Sequence, residues 1–336
     1  MKRSTGFIAR NGLRLGASVL SVCFITGGAV AQTLTGSAYP EKPVRIIVPF
    51  APAAAGDLFA RSVAQHLAEV LGQQFIVDNR GGAGGTIGLG SAAKAPPDGY
   101  TLLLGNLGTL AINPSLYKEV PYDSLRSFAP VSLIGGTPLL LAVHASVPAR
   151  SAKELFALAR ARSGALNYAS AGSGGPTHLT MEIIKSQLGL DIVHVPFKGN
   201  VAAITSLVSG ETHMMITTIL TPLPHMRSGR LRGIAVTTLK RQPAVPEVPT
   251  LDESGVNGFD VSGWYGILAP AGTPRDVIAK LNDVIVRMMG SPEVVGSFTR
   301  QGLEVFSSTP AQFTEKIRSE MPRWAKVVRD TRATVD

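Results

Sequence analysis

Val44-Arg45-Ile46-Ile47-Val48 is short, rich in β-branched residues and bounded by prolines, the pattern of a strand buried in a parallel sheet. Small residues follow from Ala51 to Gly56. Asp57 then opens a run in which Phe59, Val63, Leu67 and Val70 recur at helical spacing. Strand, small-residue loop and helix, in that order, leave backbone N–H groups at a helix N-terminus, where an anion can be met. This opening commits the chain to an α/β architecture whose loops converge on one cleft.

The unit recurs. A strand over 74–77 runs into the glycine-rich stretch from Asp78 to Thr86 and a helix over 87–93. A strand over 101–104 ends at Gly105-Asn106-Leu107-Gly108-Thr109. Further strands are predicted over 131–134, 138–143, 166–169, 192–195, 214–217, 231–237 and 261–269. Ser151-Ala152-Lys153-Glu154 is a capping box. The stretch from Ser170 to His178 leads into a helix stopped by Gly189, and Pro196-Phe197-Lys198-Gly199-Asn200 into one closing at Gly210. Thr273-Pro274, Ser291-Pro292 and Thr309-Pro310 each start a C-terminal helix, the last of which Pro322 is expected to kink. Alternating strands and helices imply two successive α/β units. In open sheets of this kind ligands sit at the carboxyl ends of the strands.

The length of 336 residues suits two domains. Residues 1–31 read as a signal peptide, with Lys2, Arg3, Arg10 and Arg14 before an apolar core and Ala29-Val30-Ala31 as the cleavage site. Cleavage after Ala31 implies export to the periplasm and lowers the net charge from +9 to about +5. The remaining Lys and Arg are scattered, which argues against a nucleic-acid partner. The sole cysteine, Cys23, lies in the signal, behind a Val22 ill suited to lipidation. The mature chain therefore has no disulfide, thiol nucleophile or thiolate metal site.

The glycines at 81–90 fail the dinucleotide spacing, since Ile87 stands where the third glycine belongs. Ser173 lacks the nucleophile elbow, because Ala171 stands two residues before it. The six histidines show no helical metal-ligand pair. No cofactor, metal or catalytic residue is expected. His178, at a helix start facing the cleft, is balanced between ligand contact and capping. Lys198 is balanced between ligand cation and solvated loop lysine. Asp57 reads first as an acid of the helix start and second as a ligand group. Trp264 and Tyr265 read as hinge packing.

From Tyr39 to Trp324 the chain resembles the extracytoplasmic solute receptors of tripartite tricarboxylate transporters, the Bug or TctC-like family. Val48-Pro49-Phe50, Asp57 and Ala60-Arg61 carry the match, with Asn79-Arg80-Gly81-Gly82-Ala83-Gly84-Gly85 and the run from Pro97 to Leu103. So do Asn113-Pro114, Tyr117-Lys118, Pro121-Tyr122-Asp123, the run from Leu166 to Gly174, Val195-Pro196-Phe197-Lys198-Gly199, Pro246-Glu247-Val248-Pro249-Thr250 and the run from Ala269 to Pro274. The resemblance implies a two-lobed periplasmic binding protein of the type II, Venus-flytrap kind, each lobe a doubly wound sheet flanked by helices. Lobe one would be 39–142 with 263–336, lobe two 143–262, hinged near 139–143 and 261–265. It implies a carboxylate held by backbone groups and waters, a monomer, and delivery to integral membrane permease subunits. Site residues carried over by position are Ala54, Ala55, Gly56, Asp57, Asn106, Gly108 and Thr109 in lobe one. In lobe two they are Ser173, Gly174, Gly175, His178, Lys198 and Thr218. Three departures point to a less polar pocket: Ala53-Ala54-Ala55 for the family's glycines, Leu110 for a histidine, and Thr217-Thr218 where an acid is usual. A ligand smaller or more apolar than citrate is expected, such as an aromatic or short monocarboxylate. The rival readings are a sensor serving a signalling membrane protein and a secreted hydrolase.

Overall fold

A computed structural model describes residues 39–52 and 55–335. The signal segment, Cys23, Ala53 and Ala54 lie outside the described residues.

The first half of the chain alternates strongly. β1 (Val44–Val48) leads to α1 (Ala55–Leu71), β2 (Phe75–Asn79) to α2 (Thr86–Ala93), and β3 (Thr101–Asn106) to a wide turn and the short α3 (Asn113–Leu116). β4 (Phe128–His144), α4 (Ala152–Ala161), β5 (Asn167–Ser170), α5 (Pro176–Leu188), β6 (Val193–Pro196), α6 (Asn200–Ser209), β7 (Met214–Thr218), α7 (Leu223–Arg227) and β8 (Leu231–Val236) follow. β9 (Ser262–Pro270) precedes the helices α8 (Arg275–Met289), α9 (Pro292–Arg300) and α10 (Pro310–Thr331).

β4 organises these strands into two sheets. Its first part, from Phe128 to Pro138, pairs antiparallel with β9, giving the order β2-β1-β3-β9-β4. Its last part, from Leu139 to His144, pairs with β7 on one side and β8 on the other, giving β6-β5-β7-β4-β8. One strand thus belongs to both lobes. The two strands expected over 131–134 and 138–143 are this single strand. Gly135, Gly136 and Pro138 look like turn residues, but here Gly135 lies at a register shift against β9, Gly136 and Pro138 stay paired with Trp264 and Ser262, and the backbone of Gly136 also pairs with Glu304. Thr237 fastens the crossing: its N–H donates to Leu139 O at 3.0 Å and its hydroxyl to Val261 O at 2.6 Å.

β1 is buried because it lies between β2 and β3, both parallel to it. α1 covers it with Phe59, Val63 and Leu67, each fully buried. Val70, expected on that face, is 50% exposed, since the inward stripe ends at Leu67. β2 runs two residues further than expected because Asp78 and Asn79 still pair with Ile47 and Val48. The glycine run serves close packing: a Cβ at Gly88 would come within 2.9 Å of Arg80 O. Pro322 lies within α10, which is continuous from Pro310 to Thr331. No helix among the described residues is long and apolar enough to cross a membrane.

Candidate ligand-binding site

The strand ends of both lobes open onto one cavity of about 560 Å³. Lobe one contributes the start of α1 through Ala55 and Leu58, the end of β3 through Asn106 and Leu107, and Leu303. Lobe two contributes Ala171, Gly172, Ser173 and Gly175 of the loop before α5, Thr177 in the first turn of α5, Asn200 at the start of α6, and Thr217, Thr218 and Thr221. The crossing strands supply the floor: Thr137 and Leu139 from β4, and Gly263, Trp264 and Tyr265 from β9. Trp264 and Gly263 also border a second cavity of about 330 Å³, whose wall includes Lys316, Glu320 and Trp324. The Glu320 carboxylate there is already engaged, accepting from Lys316 and from the Trp324 indole, both at 2.7 Å.

No Lys, Arg, His, Asp or Glu lines the main cavity among the described residues. Its polar groups are amides and hydroxyls. On the α6 side these groups bind each other: Asn200 Nδ2 donates to Thr221 Oγ1 at 2.9 Å, Thr217 donates to Asn200 Oδ1 at 3.2 Å, and Thr218 lies 3.1 Å from Thr221. On the α5 side, Ser173, Thr177 and the main chain at Gly175 face the cavity at a helix N-terminus, where the dipole favours negative charge. The floor combines the Leu139 side chain and the Trp264 ring with the Thr137 and Tyr265 hydroxyls, and the buried Trp264 indole N–H has no hydrogen-bond partner among the described residues. Burial is the first cause pushing the Tyr265 phenol up, so it stays neutral.

The structure brings Ala55, Asn106, Ser173, Gly175 and Thr218 together on this wall. Gly108 and Gly174 line an adjoining space of about 160 Å³ that shares Asn106, Ser173 and Gly175 with it. Four other candidates stand behind the wall. Gly56 is buried in α1. Asp57 is 1% exposed; its carboxylate accepts from Arg61 at 2.9 Å and from Asn79 at 2.9 Å. Thr109 is fully buried and tied to Asn106, whose Oδ1 accepts its N–H at 2.9 Å. His178 is buried, its Nδ1 accepting the Gly174 N–H at 3.0 Å. Lys198 is exposed and lines neither cavity. Ala54 lies outside the described residues.

Of the departures read from the sequence, Thr217 and Thr218 do face the cavity, whereas Leu110 is fully buried in the core and does not. Sequence reasoning passed over Asn200, Thr221 and Thr137, and read Trp264 and Tyr265 as hinge packing, whereas both also line the cavity. Asn200 carried a signal, as the polar first residue of a helix after Gly199. Thr137 was hidden by the misread break in β4. Among the described residues no group of three or more His, Cys, Asp or Glu could hold a metal ion.

Two α/β lobes sharing a long strand, with a neutral cavity between their strand ends, define a solute-binding protein. The model of the tripartite tricarboxylate transporter family receptor matches residues 59–332. Protein BugT of Bordetella pertussis is 37% identical over 311 residues, 92% of this chain and 95% of that one. Among solved structures, Rpa4515 of R. palustris with adipate is 34% identical, with a TM-score of 0.80 over 89% of this chain and 100% of that one. MatC of Rhodopseudomonas palustris with bound malate is 32% identical, with a TM-score of 0.73 over 86% and 100%. The chain belongs to this receptor family.

Proposed function

We propose that this protein is a periplasmic receptor that captures a small organic carboxylate with an apolar body and passes it to the membrane subunits of a tripartite-type transporter. The observation that carries the reading is a charge-free cavity whose floor is built on Leu139 and the Trp264 ring and whose polar end at the start of α5 offers neutral donors. A carboxylate at that end meets hydroxyl, amide and main-chain donors, and its carbon body lies over Leu139, Leu220 and Trp264. A second carboxylate can meet the amide and hydroxyls of Asn200, Thr218 and Thr221, but no cationic side chain among the described residues waits for a third, which disfavours citrate. The relatives solved with adipate and malate support the carboxylate class. Residues 39–142 with 263–336, and 143–262, are the two halves that close over the ligand, moving about the crossing strands. Ligand touching both halves favours the closed arrangement by its differential affinity.

The reading is one of binding, without conversion of the solute. Among the described residues no hydrogen bond joins Ser173 to a base, and the Nδ1 of His178 accepts the Gly174 N–H of the loop.

A thermal-shift panel of adipate, malate, benzoate and citrate tests the ligand class. A bound carboxylate at one hundred times its Kd contributes about 2.7 kcal/mol, a rise of several degrees that grows with concentration. Adipate or benzoate should give that rise and citrate much less. The strongest response from citrate would contradict the reading. Cross-linking to permease subunits in membranes, with and without adipate, tests the delivery step.

A further inference from the structure

Two histidines stand directly behind the loop from Ala171 to Gly175, and neither lines the cavity. We propose that His178 and His194 are positioning residues that hold this loop in its binding shape only while both rings are neutral, so that the receptor loosens its grip on acidification. The inference rests on the binding site assigned above.

Each ring commands one glycine of the loop. His178 Nδ1 accepts the Gly174 N–H at 3.0 Å. His194 Nε2 lies 2.7 Å from Ser170 Oγ, which accepts the Gly172 N–H at 3.2 Å; the one hydroxyl proton is shared between His194 Nε2 and Gly172 O at 3.1 Å, and an imidazolium, which must donate at Nε2, removes the first of these choices. Gly174 has φ +75°, and a Cβ there would come within 2.5 Å of the Leu116 side chain, so the loop has little latitude. The two imidazoles stack with centroids 4.0 Å apart at 17°, and Tyr168 stacks on His194 at 4.8 Å.

The surroundings oppose charge on this pair. Burial is the first cause lowering both histidines, and it combines with the neighbouring His178 and with Lys185 to bring His194 down to about 4. Glu182 of α5 pulls the other way. Its Oε1 is already engaged by the Tyr168 hydroxyl and the Lys185 ammonium, each at 2.6 Å. From α10, Arg323, Lys326 and Asp330 share a cavity with Glu182. A proton on His178 Nδ1 turns the acceptor for Gly174 into a donor facing another donor. Two imidazolium rings at this separation would also repel. An opened loop returns the rings to water and to their ordinary pKa, so acid favours opening.

Amide exchange of Gly172 and Gly174, read residue by residue by NMR on the unliganded protein between pH 7.5 and 5, tests the pair. Protection factors correct for the intrinsic pH dependence of exchange. In the wild type, Gly174 protection should fall about twentyfold or more between pH 7 and pH 5, the factor that one open-loop histidine of ordinary pKa supplies, and further where both rings protonate. His178→Gln keeps an acceptor that cannot titrate and should flatten the profile. His178→Leu has no acceptor and should leave Gly174 unprotected at every pH. His194→Gln should flatten the Gly172 profile. Adipate affinity in the wild type should weaken three- to tenfold over the same range and clearly less in His178→Gln, although the ligand's own carboxyl groups titrate identically in both. A flat wild-type profile, or His178→Gln falling in parallel with wild type, would overturn the proposal. Failure of adipate to bind at any pH would count against the ligand class, while the exchange profile still decides the histidine pair.

Discussion

At the start of α1, Asp57 faces inward at 1% exposure and joins Arg61 of its own helix to Asn79 at the end of β2. Asn79 also donates to Phe50 O at 3.1 Å, so the carboxylate and the loop backbone share one amide. Asp57→Ala should lower stability by about 1 kcal/mol in urea unfolding, through loss of its hydrogen bonds to the half-buried Asn79 and to Arg61, and the loop ahead of α1 should loosen with it. Ser173, by contrast, stands on the cavity wall. Ser173→Ala should weaken adipate binding three- to tenfold with the melting temperature of the free protein unchanged, measured by calorimetry and thermal shift. The type of residue that meets an anion was legible in the sequence, because Gly, Ser and Thr before a helix announce backbone donors. Whether a given polar side chain faces the cavity or braces the loop from behind was not legible. Asp57 and His178 sit within a few residues of the wall but point to partners far along the chain or across a turn, and spacing does not encode that direction.

Among the elements, the crossing strands carry the tightest packing. A Cβ at Gly266 of β9 would lie 2.3 Å from the Phe313 ring of α10 and 2.9 Å from Ser132 O of β4. Gly266→Ala should therefore destabilise the protein by about 1–3 kcal/mol through overpacking, read from the shift of the unfolding midpoint, even though glycine is the weaker strand former. Strand and helix order followed from periodicity and caps: α4 starts at Ser151, whose hydroxyl accepts the Glu154 N–H, and α10 at the Thr309–Gln312 capping box. β4 did not follow. Its glycines and proline carry the chemistry of a turn, and only the partners brought by β9 and Glu304 keep it extended. Register imposed from a distance overrides a local turn signal.

For the whole molecule, protonation links stability to pH. His178, His194 and His213 are all held below their ordinary value of 6.5, burial being the first cause in each. Between that value and the folded value of about 4 for His194, the unfolded chain binds more protons than the folded one. These groups therefore favour the fold fully above pH 6.5 and progressively less as pH falls toward 4. The melting temperature should drop across that interval, and less steeply in His194→Gln than in wild type. The fold class and the pairing of two lobes were legible from the order of elements. The neutrality of the cavity was not, because Lys198 and His178 looked like wall residues until the solvent-facing turn of one and the buried stack of the other were seen.

The account depends most on where a carboxylate settles. A crystal structure of the protein grown with adipate should show one carboxyl group within hydrogen-bonding distance of Ser173, Thr177 or the Gly175 main chain, with the chain of methylenes over Leu139 and Trp264. Adipate bound outside the space between the two sheets, or held there by a lysine or arginine side chain, would contradict it.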